Sequence, residues 1–573
     1  MNKPANIKAP ATTAAEIFLR RLKAHGVDYF FANGGTDFAP IVEAFAHGQS
    51  EGAALPEPLI TPHETAAVAM AHGYFLATGK PQALMVHTNV GLANAVMGTI
   101  NAASDHIPML ICSGRTPVSE TGHLGHRTAP INWGQDMHDQ AAMVRESVKW
   151  DFELRVPEQT ADLVDRALGI AMSYPRGPVY LALPREALCA PCDAPADPKP
   201  TLAPSRFGPH PQDVETAAKM ILDAANPVII AHRVGDDDGG FHALRDFAEL
   251  VGAPVCGWWP SRNAISTDSP MHGGANPGDY VTDSDLVIVI DHLVPWLPHR
   301  HELKPGAKVI QIGPDPLHSR FPVRGFRSDL SIASDAETSL RALEAVLRPQ
   351  ITKGKEREKA EARFEAAAAK NSRLRFEMME QAQKGSGTPM SNLWVSKCLS
   401  EAAGPDAIVF SELGINPGAM NLPNPGTFFN ASVAGGLGWG MPAALGAQLA
   451  NRDRIVCATV GDGSYMFANP VACHQIAEAH ELPILTIVFN NGIWNAVRTS
   501  ALDIFPKGAA AKANLMPVTS LKPTPDFCKI AEASRGYAER VENGKDLPAA
   551  LERALKVIRE EKRQALLEVI VQV

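Results

Sequence analysis

Two short polar signatures stand at the ends of apolar runs: "GDG" at 461–463 follows "RIVCATV", and "NN" at 490–491 follows "PILTIVF". Each run has the continuous apolar pattern of a strand buried on both faces. Both signatures are therefore expected at carboxyl ends of parallel strands, where open α/β sheets hold ligands. An aspartate and an asparagine side chain, with a main-chain carbonyl just beyond, make a hard all-oxygen donor set. That set suits octahedral Mg²⁺, which completes its shell with water and ligand phosphate. Gly461 and Gly463 let the backbone approach such a phosphate, and the amides of Gly463 and Ser464 open a helix whose N-terminus favours anions. The chemistry expected is that of a metal-bound diphosphate. GDG alone is a weak signal, but the 26 residues between the two signatures (464–489), both at strand ends, make a strong one.

With this spacing the chain resembles the thiamine diphosphate-dependent enzymes, whose signature is GDG followed some two dozen residues later by NN. The resemblance implies that Asp462, Asn491 and the main-chain carbonyl of Ile493 hold Mg²⁺. It also implies a buried carboxylic acid that stabilises the imino tautomer of the cofactor's aminopyrimidine, which then takes the thiazolium C2 proton. "TPHETAAVAMAHGYFLATGK" offers Glu64 for this, at the start of an alanine-rich helix; taken alone, Glu64 also fits an ordinary first-turn glutamate. In "ASVAGGLGWGMPAALGAQLA", Leu437 matches the wedge that bends the cofactor, and the Gly435 carbonyl matches the acceptor of its 4'-amino group. Gly436 and Gly438 allow close backbone approach there. The loop "SELGINPG" is expected to complete the diphosphate pocket with the amides of Gly414 and Ile415.

The order of segments resembles the pyruvate oxidase, acetolactate synthase and benzoylformate decarboxylase group, and local wording is closest to the last. "FFANGGTDFAP" resembles its substrate-carboxylate turn and puts Thr36 there; "LMVHTNVGLANAVMG" puts His87 in the catalytic position. An imidazole after the strand "ALMV" points into the crevice of Glu64 and can relay protons near neutral pH. A partly buried structural histidine is the competing reading. The implied reaction is non-oxidative decarboxylation of a 2-oxo acid, releasing CO₂ and an aldehyde. Acetolactate synthase-like carboligation and a catalytically idle cofactor-binding subunit are the alternatives. The pattern departs from benzoylformate decarboxylase in "IDHLVPWLPHRHELKPGAKV", where Pro295 stands near the point of a second histidine and His292, His299 and His301 are displaced. In "GHLGHRTAPINWGQDMHDQAAMVR", His123, His126, Trp133 and His138 fit either a substrate entrance or a subunit contact. "RVGDDDGGFHALRDF" puts three acids where dinucleotide phosphates would lie and carries no GxGxxG, so FAD is not expected. The family shares its site between subunits, which implies a homodimer or homotetramer.

The elements that must position these residues are legible as alternating helix-like stretches and short apolar strands, the mark of doubly wound parallel sheets. Three such α/β segments follow one another, over 1–188, 207–348 and 388–573, and the resemblance implies that they are a pyrimidine-binding, a central Rossmann-like and a diphosphate-binding domain. A proline-rich stretch at 187–211 reads as a linker, and the charged, alanine-rich 351–386 as a solvated connecting helix. A chain of 573 residues is too long for one core. Net charge of −9 and a pI near 6.1 argue against a nucleic-acid partner. No apolar run approaches a membrane span, and the first 22 residues lack a signal-peptide core, so a cytoplasmic address is expected. The eight cysteines are read as reduced, with the lone CxxC of Cys189 and Cys192 as linker cysteines.

Overall fold

A computed structural model describes residues 12–193, 200, 201, 203–235, 237–513 and 516–573. The start of the N-terminal segment, part of the proline-rich linker and Asp236 of the acidic run lie outside the described residues. Three parallel sheets are present. The first contains β1 (Tyr29–Asn33), β2 (Glu57–Ile60), β3 (Gln82–Val86), β4 (Met109–Arg115), β5 (Asp151–Glu153) and β6 (Val179–Pro184), in the order β2-β1-β3-β4-β6-β5. The second contains β7 (Pro227–Ala231), β8 (Val255–Cys256), β9 (Leu286–Ile290), β10 (Lys308–Gly313) and β11 (Leu330–Ala333), in the order β11-β10-β9-β7-β8. The third contains β12 (Ile408–Glu412), β13 (Phe428–Asn430), β14 (Val456–Gly461), β15 (Leu485–Asn490), β16 (Tyr537–Val541) and β17 (Ala565–Ile570), in the order β13-β12-β14-β15-β17-β16.

The first and third sheets share one topology. In each, the second strand pairs on one side of the first, after which the chain crosses to the other side and continues outward. The reversal leaves a crevice at the carboxyl ends of the first and third strands of each sheet, and that is where such folds bind ligands. In the first sheet these ends are Asn33 and Val86, so the residues after them, Gly34–Phe38 and His87, face the switch point. In the third sheet they are Glu412 and Gly461, followed by Leu413 and Asp462.

The central strands are largely apolar and covered on both faces: β3, β7, β9 and β15 are buried at every position. The helix Glu64–Thr78 is buried over its first 12 residues, with alanines at 66, 67, 69 and 71 among them. Its neighbour Thr88–Ser104 approaches so tightly that a Cβ on Gly98 would lie 2.8 Å from Val68. Residues Gly354–Lys384 form a single helix of 31 residues that buries only Ala360, Arg363, Ala367, Asn371 and Ala382.

Packing gathers the first sheet, up to Ser205, with Ser432–Gly436 into one compact unit, and Arg206–Ala431 with Leu437–Val573 into another. The second and third sheets thus share a unit. Residues 261–263 bind the edge strand β13, through Asn430 N to Ser261 O at 3.1 Å and Asn263 N to Phe428 O at 3.0 Å, and so protect that edge. All eight cysteines are free. No helix among the described residues is long and apolar enough to cross a membrane.

Candidate active site

In the first unit, Glu64 is the first residue of its helix and 7% exposed. Its Oε2 accepts from Asn94 Nδ2 at 3.0 Å, and a Cβ on Gly91 would lie 3.0 Å from Oε1. His87 stands just past β3, with its Nδ1 2.5 Å from Asp37 Oδ1 and its Nε2 3.1 Å from Gln135 Nε2. Asp37 is buried, and its other oxygen accepts from Thr88 N at 3.3 Å. The Asp37 carboxylate, helped by the negative field of Glu64, lifts the His87 pKa above its ordinary value against the opposing effect of burial. With Nδ1–H donated to Asp37, Nε2 is the nitrogen left to exchange a proton.

Two glycines are required by this dyad. A Cβ on Gly35 would lie 2.2 Å from His87 Nδ1, and one on Gly114 would lie 1.7 Å from Asp37 Oδ2. Thr36 lies in the same turn with its side chain exposed; its carbonyl accepts from Arg185 Nη1 at 3.0 Å. The structure brings the turn of Thr36 beside His87; the sequence reading did not single out Asp37, the residue that touches the imidazole. It also missed Asn94 and Gln135. Of the polar residues in the 121–144 segment, Gln135 is the one that reaches His87. His123 and His138 are exposed, His126 bonds the carbonyl of His123, and Trp133 lies under the Arg127 guanidinium with its Nε1 on Glu120. Asn101, also unforeseen, clasps the Gly436 backbone: its Nδ2 donates to Gly436 O at 2.8 Å and its Oδ1 accepts from Gly436 N at 3.0 Å.

In the second unit, Asp462 opens the short helix Asp462–Phe467 and is 4% exposed. Its Oδ1 accepts from Gly463 N at 2.8 Å and its Oδ2 from Gly492 N at 2.7 Å. Burial still pushes its carboxyl above the usual range, with those amides pulling the other way. No Lys, Arg or His pairs with it among the described residues, so a divalent cation fits the charge left there. Asn490 is committed to Glu568, Nδ2 to Oε1 at 2.7 Å, whereas Asn491 is half-buried with its Oδ1 on Ile493 N at 3.0 Å. Ser464 is buried.

Gly463 packs against the Trp494 ring, which a Cβ would meet at 2.2 Å; Gly461 has no comparable steric demand, its nearest atom lying 3.8 Å away. Gly414, with φ +95°, sits over Phe489, 2.7 Å from where its Cβ would be, and Ile415 packs on the core of the third sheet. Leu437 is half-buried, and Gly435 is exposed with φ +71°. Sequence reasoning passed over Glu412 at the end of β12. It is 1% exposed, its oxygens accept from Gly438 N at 2.6 Å and Gly440 N at 2.5 Å, and burial raises its pKa to about 7.

The central sheet holds His292 buried with its Nε2 on Trp258 O at 2.7 Å, and burial pushes that imidazole down to about 3. Pro295 is buried, His299 is exposed, and His301 accepts from Leu297 N through Nδ1 at 3.1 Å. Asp237 of the acidic run caps the helix Asp238–Val251.

Two sheets of equal topology, each with polar residues at its switch point, define a doubly wound, ligand-binding α/β class of protein. Three family models match in succession: the N-terminal TPP binding domain of thiamine pyrophosphate enzymes at 12–143, their central domain at 214–343 and their C-terminal TPP binding domain at 416–569. The chain belongs to the thiamine pyrophosphate-dependent enzymes, in the group with acetolactate synthase and benzoylformate decarboxylase. It is 27% identical to benzoylformate decarboxylase of Pseudomonas aeruginosa over 93% of this chain and 95% of that protein. It is 25% identical to a probable acetolactate synthase large subunit of Methanocaldococcus jannaschii, over 94% and 89%. A solved structure described as a thiamine diphosphate-dependent 4-hydroxybenzoylformate decarboxylase of Rhodococcus jostii RHA1 superposes with a TM-score of 0.77 at 22% identity, covering 98% of this chain and 99% of that one. At that identity the likeness is one of fold.

Proposed function

We propose that the protein is a Mg²⁺- and thiamine diphosphate-dependent 2-oxo acid decarboxylase that releases CO₂ and an aldehyde. The observation that carries this reading is the Asp37–His87 pair at the switch point of the first sheet, within the field of Glu64. When bound, the cofactor supplies the electron sink that lets the carboxylate leave as CO₂. Glu64 holds a proton at the pyrimidine ring, and Asn94 orients its carboxylate. His87, kept protonated towards neutral pH by Asp37, delivers a proton from Nε2 to the carbon that has lost CO₂. Thr36 lies at the mouth of the same turn, in reach of a substrate carboxylate.

Asp462, Asn491 and the Ile493 carbonyl would hold Mg²⁺, with the amides of Gly414, Ile415, Gly463 and Ser464 on the diphosphate and Gly461 beside it; the Gly435 carbonyl would accept from the 4'-amino group, and Leu437 would be the wedge. FAD takes no part. Glu64 and Asp462 serve one cofactor from different subunits, which makes a homodimer the smallest active form and a homotetramer its natural doubling; a cytoplasmic location goes with this reading.

Carboligation of the acetolactate synthase type remains the competing outcome, since a relative of that name matches over a similar span. Product chromatography after incubation with aliphatic and aromatic 2-oxo acids separates the two. Aldehyde as the main product is expected; acyloin or a 2-hydroxy-2-alkyl-3-oxo acid in its place would move the protein to the carboligases.

A further inference from the structure

Glu412 is a fully buried acid with no role in the steps above. It lies at the last position of β12, at the switch point of the third sheet, and no cation pairs with it among the described residues. Its partners are neutral backbone donors of the turn at 438–440. Gly438 N and Gly440 N bond one oxygen each, at 2.6 and 2.5 Å. Two amides two residues apart therefore converge on one carboxylate at the start of the helix Gly440–Ala450, an end that favours negative charge.

The turn has no room for a side chain at Gly438 or Gly440. A Cβ on Gly438 would lie 2.5 Å from Phe467 O, and one on Gly440 would lie 2.9 Å from Glu412 Cβ. A neutral glutamine could satisfy one of these amides through its oxygen, but its NH₂ would face a second N–H with no acceptor between them.

We propose that Glu412 is a positioning residue of the cofactor site: its carboxylate ties the turn that carries Leu437 to the end of β12, two residues before Gly414, fixing the wedge and the diphosphate loop in one geometry. This rests on the thiamine diphosphate reading. A carboxylate that merely capped a helix would stabilise the fold and leave the cofactor indifferent to its loss. A clamp between two cofactor-binding segments makes affinity depend on it.

The test is titration of wild type and Glu412→Gln with thiamine diphosphate at saturating Mg²⁺, followed by tryptophan fluorescence, alongside thermal melts and amide hydrogen exchange of 437–440. The dissociation constant is expected to rise roughly tenfold or more, with the Gly438 and Gly440 amides losing protection while β14 keeps its own. An unchanged constant in a variant whose melting temperature falls would overturn the clamp and leave only a helix cap. A wild type that takes up no cofactor would overturn the functional reading and the clamp with it, so the two failures are distinct. If Glu412→Gln does not fold, Glu412→Asp serves: its shorter side chain draws the carboxylate back from the two amides, and unaltered affinity there overturns the proposal equally.

Discussion

His87 gains its chemical character from Asp37. A carboxylate on Nδ1 stabilises the imidazolium, so activity that needs a protonated His87 is present at low pH and falls as pH rises through its raised pKa. Asp37→Asn removes that support, and the high-pH limb of the kcat/KM profile is expected to move to lower pH; a limb that stays in place would remove His87 as the proton donor. Glu64, His87 and Asp462 stand out in the sequence as candidates because their types are costly to bury without purpose, each stands at the edge of an apolar run, and the family resemblance points to them. Asp37, Asn94, Gln135 and Glu412 do not, because their importance lies in partners distant in the chain: Asp37 is 50 residues from His87 and Glu412 is 26 from Gly438. A weak signal existed in glycines such as Gly35 and Gly114, whose missing side chains make room for the dyad. Nothing in a lone sequence says what a glycine is avoiding.

At the scale of elements, the strands that host the site were readable from continuous apolar runs, and β3, β14 and β15 lie where those runs indicated. Short edge strands such as β2, β5 and β13 were less legible. An edge strand is buried on fewer sides and needs no such run, as the exposure of three of the four residues of β2 illustrates. Loop shape was the least accessible. The turn after β12 depends on Gly414, which combines a left-handed φ of +95° with a face pressed on Phe489. Gly414→Ala is expected to destabilise the protein by about 1–3 kcal/mol, the usual cost of strain of this kind. A thermal melt checks this, and an unshifted transition would mean that the loop repacks freely.

For the molecule as a whole, the repeated topology of the first and third sheets gives two switch points from one design. One is lined by Asp37 and His87 and the other by Glu412 and Asp462. If each active site draws Glu64 from one subunit and Asp462 from another, Glu64→Gln and Asp462→Ala chains, each inactive alone, should regain activity when coexpressed. Mixed dimers then carry one intact site of two; absence of any recovery would place both residues on one chain's site. The claim on which all of this depends is that Glu64 activates a bound thiamine diphosphate. Hydrogen–deuterium exchange at cofactor C2, read by NMR after acid quench in the presence of Mg²⁺, tests it without a substrate. The wild type should exchange faster than free cofactor, and Glu64→Gln should be slower than the wild type by ~10²–10⁴-fold, the range of a lost acid–base group; equal rates in the two proteins, or no acceleration in either, would contradict the account.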